Sequence, residues 1–205
     1  MTGRFITLEG GEGVGKSTQA RALAAALQGR GLDVVETREP GGSPGAEAIR
    51  RLLLHDQHWT SEAEALLFAA ARSDHVARTI RPALERGAWV VCDRFVDSSI
   101  AYQGGAGGLG FEAVRALHHV GSGGFLPDRT LLLDLAEDEA GHRAGVRDVD
   151  GPDLIGGRGA DYHRAVVEAF RALARAEPDR IRLIDAAGTA QEVTARLLAA
   201  LEDLL

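Results

Sequence analysis

Cysteine is almost missing from this chain of 205 residues, where Cys92 is the single example. One thiol excludes an internal disulfide and a cysteine metal cluster, and it suits a reducing cytosol. Positive charge is short as well. Lys and Arg number 23 against 30 Asp and Glu, a net charge of -7. A broad nucleic-acid-binding face is therefore not expected, and any anion has to be gripped locally by arginines in a cleft. No apolar run reaches the roughly 18 residues needed to cross a bilayer. Met1-Thr2-Gly3-Arg4 leads straight into an apolar stretch without a secretion signal. The expected location is the cytoplasm, with no membrane partner. Internal repeats, linkers and low-complexity tracts are absent too, so one domain over residues 1–205 is expected, a length that suits a single α/β unit with a full core. The seven histidines are scattered, and His55/His58 and His118/His119 lack further ligands at metal spacing, so they read as surface residues.

What is there concentrates near the start. The apolar run Phe5-Ile6-Thr7-Leu8 stops at Glu9, and Gly10-Gly11-Glu12-Gly13-Val14-Gly15-Lys16-Ser17 follows, ahead of the helix-forming residues Gln19 to Leu27. Strand, glycine loop and helix in that order fit the phosphate-loop pattern G-x-x-x-x-G-K-[ST], framed by Gly10 and Gly15. Glycines permit backbone angles that let successive amides turn inward around a phosphate. A helix starting at about Lys16 brings the positive end of its dipole to the same spot. Lys16 supplies a mobile charge for the outer phosphates, and the Ser17 hydroxyl is placed to ligate Mg²⁺. Glu12 is out of keeping there, since a poorly solvated carboxylate repels phosphate by on the order of a few kcal/mol. It faces either a cation or a hydroxyl of a second substrate, or it points out into solvent.

Leu32-Asp33-Val34-Val35 is the next short strand and runs into Thr37-Arg38-Glu39-Pro40-Gly41-Gly42. Open parallel sheets bind ligands just past the carboxyl ends of their strands, so Arg38 is either a phosphate clamp or a surface arginine in a turn. Gly45 to His55 reads as a short helix. Ser61-Glu62-Ala63-Glu64 reads as a capping box opening a longer one, with Leu66, Leu67, Ala70, Val76, Ile80 and Leu84 at roughly helical spacing. Phe68 and Arg72 share a face. They either sandwich and hydrogen-bond a flat base or make ordinary packing plus a surface salt bridge, and spacing alone favours the second.

Ala88-Trp89-Val90-Val91-Cys92 is an apolar strand ending in Asp93-Arg94. An acid at that point is a candidate for holding Mg²⁺, and Arg94 would face a transferred phosphoryl group. The run Gly104 to Gly110 reads as a flexible connector, because no strand precedes it. Helix over Phe111 to Val120, strand over Thr130 to Leu135, helix over Asp161 to Ala176, strand over Ile181 to Ile184 and an amphipathic helix over Thr189 to Leu205 complete the pattern. The polar segment at about 137–161, carrying Arg143, Arg147 and Arg158, is either a lid closing over phosphates or a solvated loop. Strands alternating with helices predict an α/β fold whose five-stranded, mostly parallel sheet is wrapped on both faces.

The stretches Glu9 to Thr18, Thr37 to Gly42, Leu67-Phe68-Ala69-Ala70-Ala71-Arg72 and Asp93-Arg94-Phe95 through Ser98-Ser99-Ile100-Ala101-Tyr102-Gln103-Gly104 together resemble the bacterial thymidylate (dTMP) kinases over nearly the whole chain. The resemblance implies a P-loop nucleoside monophosphate kinase-like fold with a lid, transfer of the γ-phosphoryl group of ATP to dTMP with Mg²⁺, and a homodimer. It puts ATP on Gly10, Gly11, Glu12, Gly13, Val14, Gly15, Lys16, Ser17 and Thr18, and the metal on Ser17 and Asp93. By the same resemblance Glu12 receives the sugar hydroxyl of dTMP, and Arg38 and Arg94 hold its phosphate. Phe68 stacks on thymine, Arg72 hydrogen-bonds the base, and Tyr102 packs against the sugar and disfavours a 2′-hydroxyl. Ser98, Ser99 and Gln103 line the pocket. Lys16, Arg38 and Arg94 are then catalytic, joined by a lid arginine, Arg143 or Arg147, as in family members with an acidic phosphate loop. Two departures stand out. Asp153-Leu154-Ile155-Gly156 replaces the usual Asp-Arg-hydrophobic-Glu, which leaves open which lid arginine reaches the phosphates, and Ala71-Arg72 stands where many members have Asp-Arg. A kinase for another nucleoside monophosphate is the nearer alternative. A P-loop switch is the farther one, since no Asn-Lys-x-Asp or Asp-x-x-Gly motif is found.

Overall fold

The computed structural model describes residues 3–56, 58–136, 139–141 and 154–205. Five strands, β1 Phe5–Glu9, β2 Val34–Arg38, β3 Trp89–Asp93, β4 Arg129–Asp134 and β5 Ile181–Asp185, form one sheet in the order β2-β3-β1-β4-β5. Every pairing is parallel, so the sheet is wholly rather than mostly parallel. The central strands explain this: β1, β3 and β4 are buried at successive positions rather than alternate ones, as a sheet covered on both faces requires, while the edge strands β2 and β5 are only partly buried. Ile6, Leu8, Trp89, Val91, Leu131 and Leu133 face one apolar layer, while Phe5, Val90, Cys92 and Leu132 face the other.

Helices α1 Lys16–Gly29, α2 Pro44–Arg51, α3 Ser61–His75, α4 Arg81–Glu85, α5 Val96–Ser99, α6 Phe111–Ser122, α7 Ala160–Ala176 and α8 Ala190–Ala199 surround the sheet. Leu23 and Leu27 of α1 join Val193 and Leu197 of α8 on the first face. Phe68 of α3, Ala83 of α4, Val114 of α6 and Phe170 and Leu173 of α7 cover the second. The chain leaves β1 for β2 and only then returns to β3 between them. That reversal beside β1 is where an open α/β sheet forms a crevice at its carboxyl edge. Among the described residues no helix is long and apolar enough to cross a membrane.

Several local expectations are corrected. Helix α3 is capped by Thr60, whose hydroxyl accepts from the Ala63 amide, so no capping box forms at Ser61 to Glu64: the third helical position holds Ala63, which has no carboxylate to return the bond. A capping box does form on α8, between Thr189 and Glu192. The buried face of α3 is Glu64, Ala65, Phe68, Ala71, Arg72 and His75, whereas Leu66 is 55% exposed. Apolar spacing misplaces this face because three of its members are ionisable and are buried only through partners elsewhere in the chain. The glycine run is not wholly a connector. Ile100–Ala106 is a π-helical turn, and a Cβ on Gly105 would lie 2.7 Å from the Ala169 Cβ, so that turn lies flush on α7. His118 is buried rather than at the surface: its Nε2 donates to the Phe125 carbonyl at 2.6 Å, and burial, then Arg72, holds its pKa down.

Candidate active site

The loop between β1 and α1 crosses that crevice. Gly10, Gly13 and Gly15 take φ of 143°, 76° and 92°, and a Cβ on Gly10 would lie 2.6 Å from the Leu133 carbonyl oxygen. Only glycine fits so close to β4 at that angle. Helix α1 starts with no side-chain cap, which leaves its first amides to the loop interior. The Lys16 ammonium folds back to donate to the Gly11 carbonyl. Burial, and then the nearby Arg94, lowers its pKa to about 8. Ser17 Oγ donates to Asp93 Oδ2 at 2.5 Å, while Asp93 Oδ1 is buried and has no partner among the described residues.

Arg94, directly after β3, adopts φ 70°, a left-handed angle that non-glycine residues rarely take. Its Nη1 donates to the Gly10 carbonyl at 3.2 Å and to Ser98 Oγ at 3.1 Å. Its Nη2 donates to Glu12 Oε1 at 2.5 Å and to Tyr102 OH at 3.2 Å, and its guanidinium lies 5.1 Å from the Tyr102 ring centroid. Glu12 therefore faces a cation, and Tyr102 OH donates to the same carboxylate oxygen at 2.9 Å. Burial works against the Arg94 charge, but Tyr102, Glu12, Asp93 and Glu9 hold its pKa above the ordinary guanidinium value. Beneath the turn, the buried Glu9 carboxyl accepts from the Phe95 amide at 2.7 Å, the Ser98 amide at 3.3 Å and the Ser98 hydroxyl at 2.6 Å. Burial and then Asp97 push Glu9 up to about 8, against the pull of these donors.

A second charged cluster forms the far wall. Glu39, which precedes a cis peptide to Pro40, accepts from Arg72 Nε at 2.8 Å and pairs with His75 Nδ1 at 3.0 Å. Arg72 Nη2 donates to the Phe95 carbonyl and to Ser99 Oγ. The Arg72 bridge is thus buried rather than on the surface. Gln103 Nε2 donates to Glu64 Oε1 at 2.9 Å, and Arg158 donates to both oxygens of Glu64 and to Tyr162 OH. Arg38 is paired with Glu47 at 3.0 Å, an exposed bridge whose carboxylate also accepts from the Gly42 amide.

These pieces open into one cavity of about 1180 Å³, lined by Glu12, Gly13, Val14, Gly15, Lys16, Ser17, Thr18, Arg38, Phe68, Arg72, Asp93, Arg94, Ser98, Ser99, Tyr102 and Gln103. Gly10 and Gly11 border a smaller cavity of about 300 Å³ behind the loop instead. Arg143, Arg147 and Asp153 lie outside the described residues, as does most of the proposed lid. Gln19, Arg21, Ala186, Gly188, Ala190 and Val193 also line the large cavity and were not anticipated. The available signal was the Ala186-Ala187-Gly188 turn after β5, which obeys the same strand-end rule that marks Arg38 and Arg94.

The family model described as thymidylate kinase matches residues 8–197. The chain belongs to the thymidylate kinase family. Among its relatives, the thymidylate kinase of Rhizorhabdus wittichii is 67% identical, with 100% of both chains covered. The one from Rhodopseudomonas palustris is 50% identical over 96% of this chain and 87% of the relative. A crystal structure of thymidylate kinase from Ehrlichia chaffeensis superposes with a TM-score of 0.80 at 31% identity, covering 98% of this chain and 100% of that one. The family's P-loop kinase architecture accordingly agrees with the parallel sheet found here.

Proposed function

We propose that this protein transfers the γ-phosphoryl group of ATP to dTMP, giving dTDP and ADP. The observation that carries the reading is that a phosphate loop and an arginine-lined recess open into the same cavity, as a kinase joining two phosphorylated substrates requires. The acceptor oxygen of a monophosphate already carries charge and needs no strong base, so catalysis rests on alignment and charge neutralisation.

In this reading the loop amides and Lys16 hold the β- and γ-phosphates of ATP, and Thr18 completes the loop. Arg94 and Arg38 bind the dTMP phosphate, and Arg94 moves part of its charge from Glu12 onto it. Phe68 stacks on thymine. The Arg72 edge not engaged by Glu39, Phe95 and Ser99 addresses the base, beside Ser98, Ser99 and Gln103. Glu12 and Tyr102 meet the sugar, and the bulk of Tyr102 disfavours a 2′-hydroxyl. Adenosine lies toward Gln19, Arg21, Ala186 and Gly188. Arg143 or Arg147 supplies the lid arginine.

Among the described residues no cluster of three or more His, Cys, Asp or Glu forms a metal cage. The fit is instead to a cation held mainly by its substrates: the Ser17 hydroxyl meets Asp93, whose second oxygen is buried without a partner among the described residues. Mg²⁺ bound there would neutralise charge on the β- and γ-phosphates. The family resemblance suggests a homodimer and a cytoplasmic location, and Leu66 on α3 and Val120 on α6, 55% and 87% exposed, are candidate contacts for such a dimer. ADP release from ATP, measured against a panel of nucleoside monophosphates, tests the function. Preference for dTMP is expected, and preference for another monophosphate, or release indifferent to the acceptor, overturns it.

A further inference from the structure

We infer that Glu9 is a positioning residue that sets the direction of the Arg94 guanidinium through the Ser98 hydroxyl. This inference rests on the phosphoryl-transfer reading for its kinetic consequences but not for its geometry. Arg94 Nη1 donates to Ser98 Oγ at 3.1 Å. A guanidinium has only donors to offer, so the hydroxyl must accept from it and direct its own proton elsewhere. Glu9 Oε2, 2.6 Å away, accepts from that hydroxyl. The other oxygen of Glu9 fixes the backbone leading to the same hydroxyl, through the amides of Phe95 and Ser98. Phe95 directly follows the left-handed residue, so one carboxyl both pins a strained turn and polarises the contact that aims its side chain.

Glu9 does not line the cavity and touches no substrate position, whereas Arg94 and Ser98 do. It lies fully buried at the end of β1, one residue before the phosphate loop. The relay therefore ties the register of that loop to the arginine facing it. In Glu9→Gln the amide oxygen replaces one acceptor but the NH₂ replaces the other. The Ser98 hydroxyl then accepts from the introduced amide as well as from Arg94, and its own proton loses the carboxylate that oriented it.

The test compares the wild type with Glu9→Gln, Ser98→Ala and the double variant, by steady-state kinetics at about pH 9, above the folded Glu9 pKa of about 8 so that the wild-type carboxyl is the ionised acceptor, and by the guanidinium N–H resonances of Arg94, assigned by their loss in Arg94→Lys. The expected result for Glu9→Gln is a kcat lower by about tenfold or more and a KM for dTMP raised about fivefold at an unchanged KM for ATP, a split that a smaller folded fraction cannot produce. In the Ser98→Ala background the same change should add no more than about threefold, because the relay is already broken. The slowly exchanging Arg94 resonances should shift and broaden in both single variants. Wild-type kinetics in Glu9→Gln, fully multiplicative losses, or unchanged Arg94 resonances would overturn the inference. A wild type inactive toward every monophosphate sinks the kinase reading instead, and the resonances still decide the relay. Should Glu9→Gln fail to unfold cooperatively, Ser98→Ala alone carries the test, since it removes the middle of the relay and leaves the carboxyl in place.

Discussion

Arg72 Nε and Glu39 Oε2 meet at 2.8 Å with both side chains nearly inaccessible, and the second Glu39 oxygen pairs with His75. The carboxylate thus holds two groups of α3 at once, and it comes from the turn after β2. A buried ion pair of this kind is weak evidence for stability in itself, because desolvation offsets the attraction, but removing one member leaves an uncompensated charge. Glu39→Gln should accordingly lower the unfolding free energy by about 3 kcal/mol in urea titration. It should also raise the KM for dTMP more than the KM for ATP, because Arg72 loses the bond that fixes its plane. A variant that unfolds at the wild-type midpoint would show that the pair is energetically neutral.

Lys16 gives a pH dependence of binding with a definite sign. Burial and Arg94 lower its pKa to about 8 in the ligand-free protein. A triphosphate stabilises the charged ammonium and so raises that pKa again, which makes binding near pH 8 take up a proton. ATP affinity should be level below pH 7 and weaken above pH 8, approaching about tenfold per pH unit. Calorimetric titration in two buffers of different ionisation heat measures the proton uptake directly. Affinity flat from pH 7 to 9 would mean that the amides alone hold the phosphates.

For the transferred group, Arg94→Ala should lower kcat by about 10³-fold or more while cooperative unfolding persists, the range seen when a single phosphate-facing arginine is removed. Arg143→Ala and Arg147→Ala, made singly, should divide the lid role: one loses about 10²-fold in kcat and the other stays near wild type. Two near-normal variants would refute a lid arginine in this chain.

How much of this was legible beforehand follows from which interactions leave a local trace. The phosphate loop, Asp93-Arg94 and the turn at Arg38 were readable because each is a strand end with fixed spacing, and strand ends line the crevice of a parallel sheet. The buried face of α3 was not. Glu64, Arg72 and His75 look like surface residues in any periodicity count, and only distant partners, Gln103, Glu39 and Ser99, make their burial tolerable. The place of His118 was hidden for the same reason, since its partner is the Phe125 carbonyl across a turn. Glu9 reads as the last residue of an apolar strand, and nothing adjacent to it in sequence announces Ser98.

Glu9 also makes a prediction about stability that separates cleanly from the one about Lys16. Its folded pKa is raised from the ordinary 4.5 to about 8, chiefly by burial and then by Asp97. A group that holds its proton more tightly when folded contributes stability that is complete below the unfolded value and is lost as pH rises through the folded one. The ligand-free protein should therefore lose roughly 3 kcal/mol of unfolding free energy between about pH 4.5 and pH 8, a discounted figure for a carboxyl surrounded by donors. The contribution of Lys16 lies on the other side, because a lysine lowered from 10.5 to about 8 alters stability only above that point. Denaturant titrations at half-unit steps from pH 5 to 8 would read the slope in the wild type and in Glu9→Gln, which cannot titrate. A flattened profile in the variant is expected; the same slope in both would assign the proton to another group and return Glu9 to the ordinary carboxylate range.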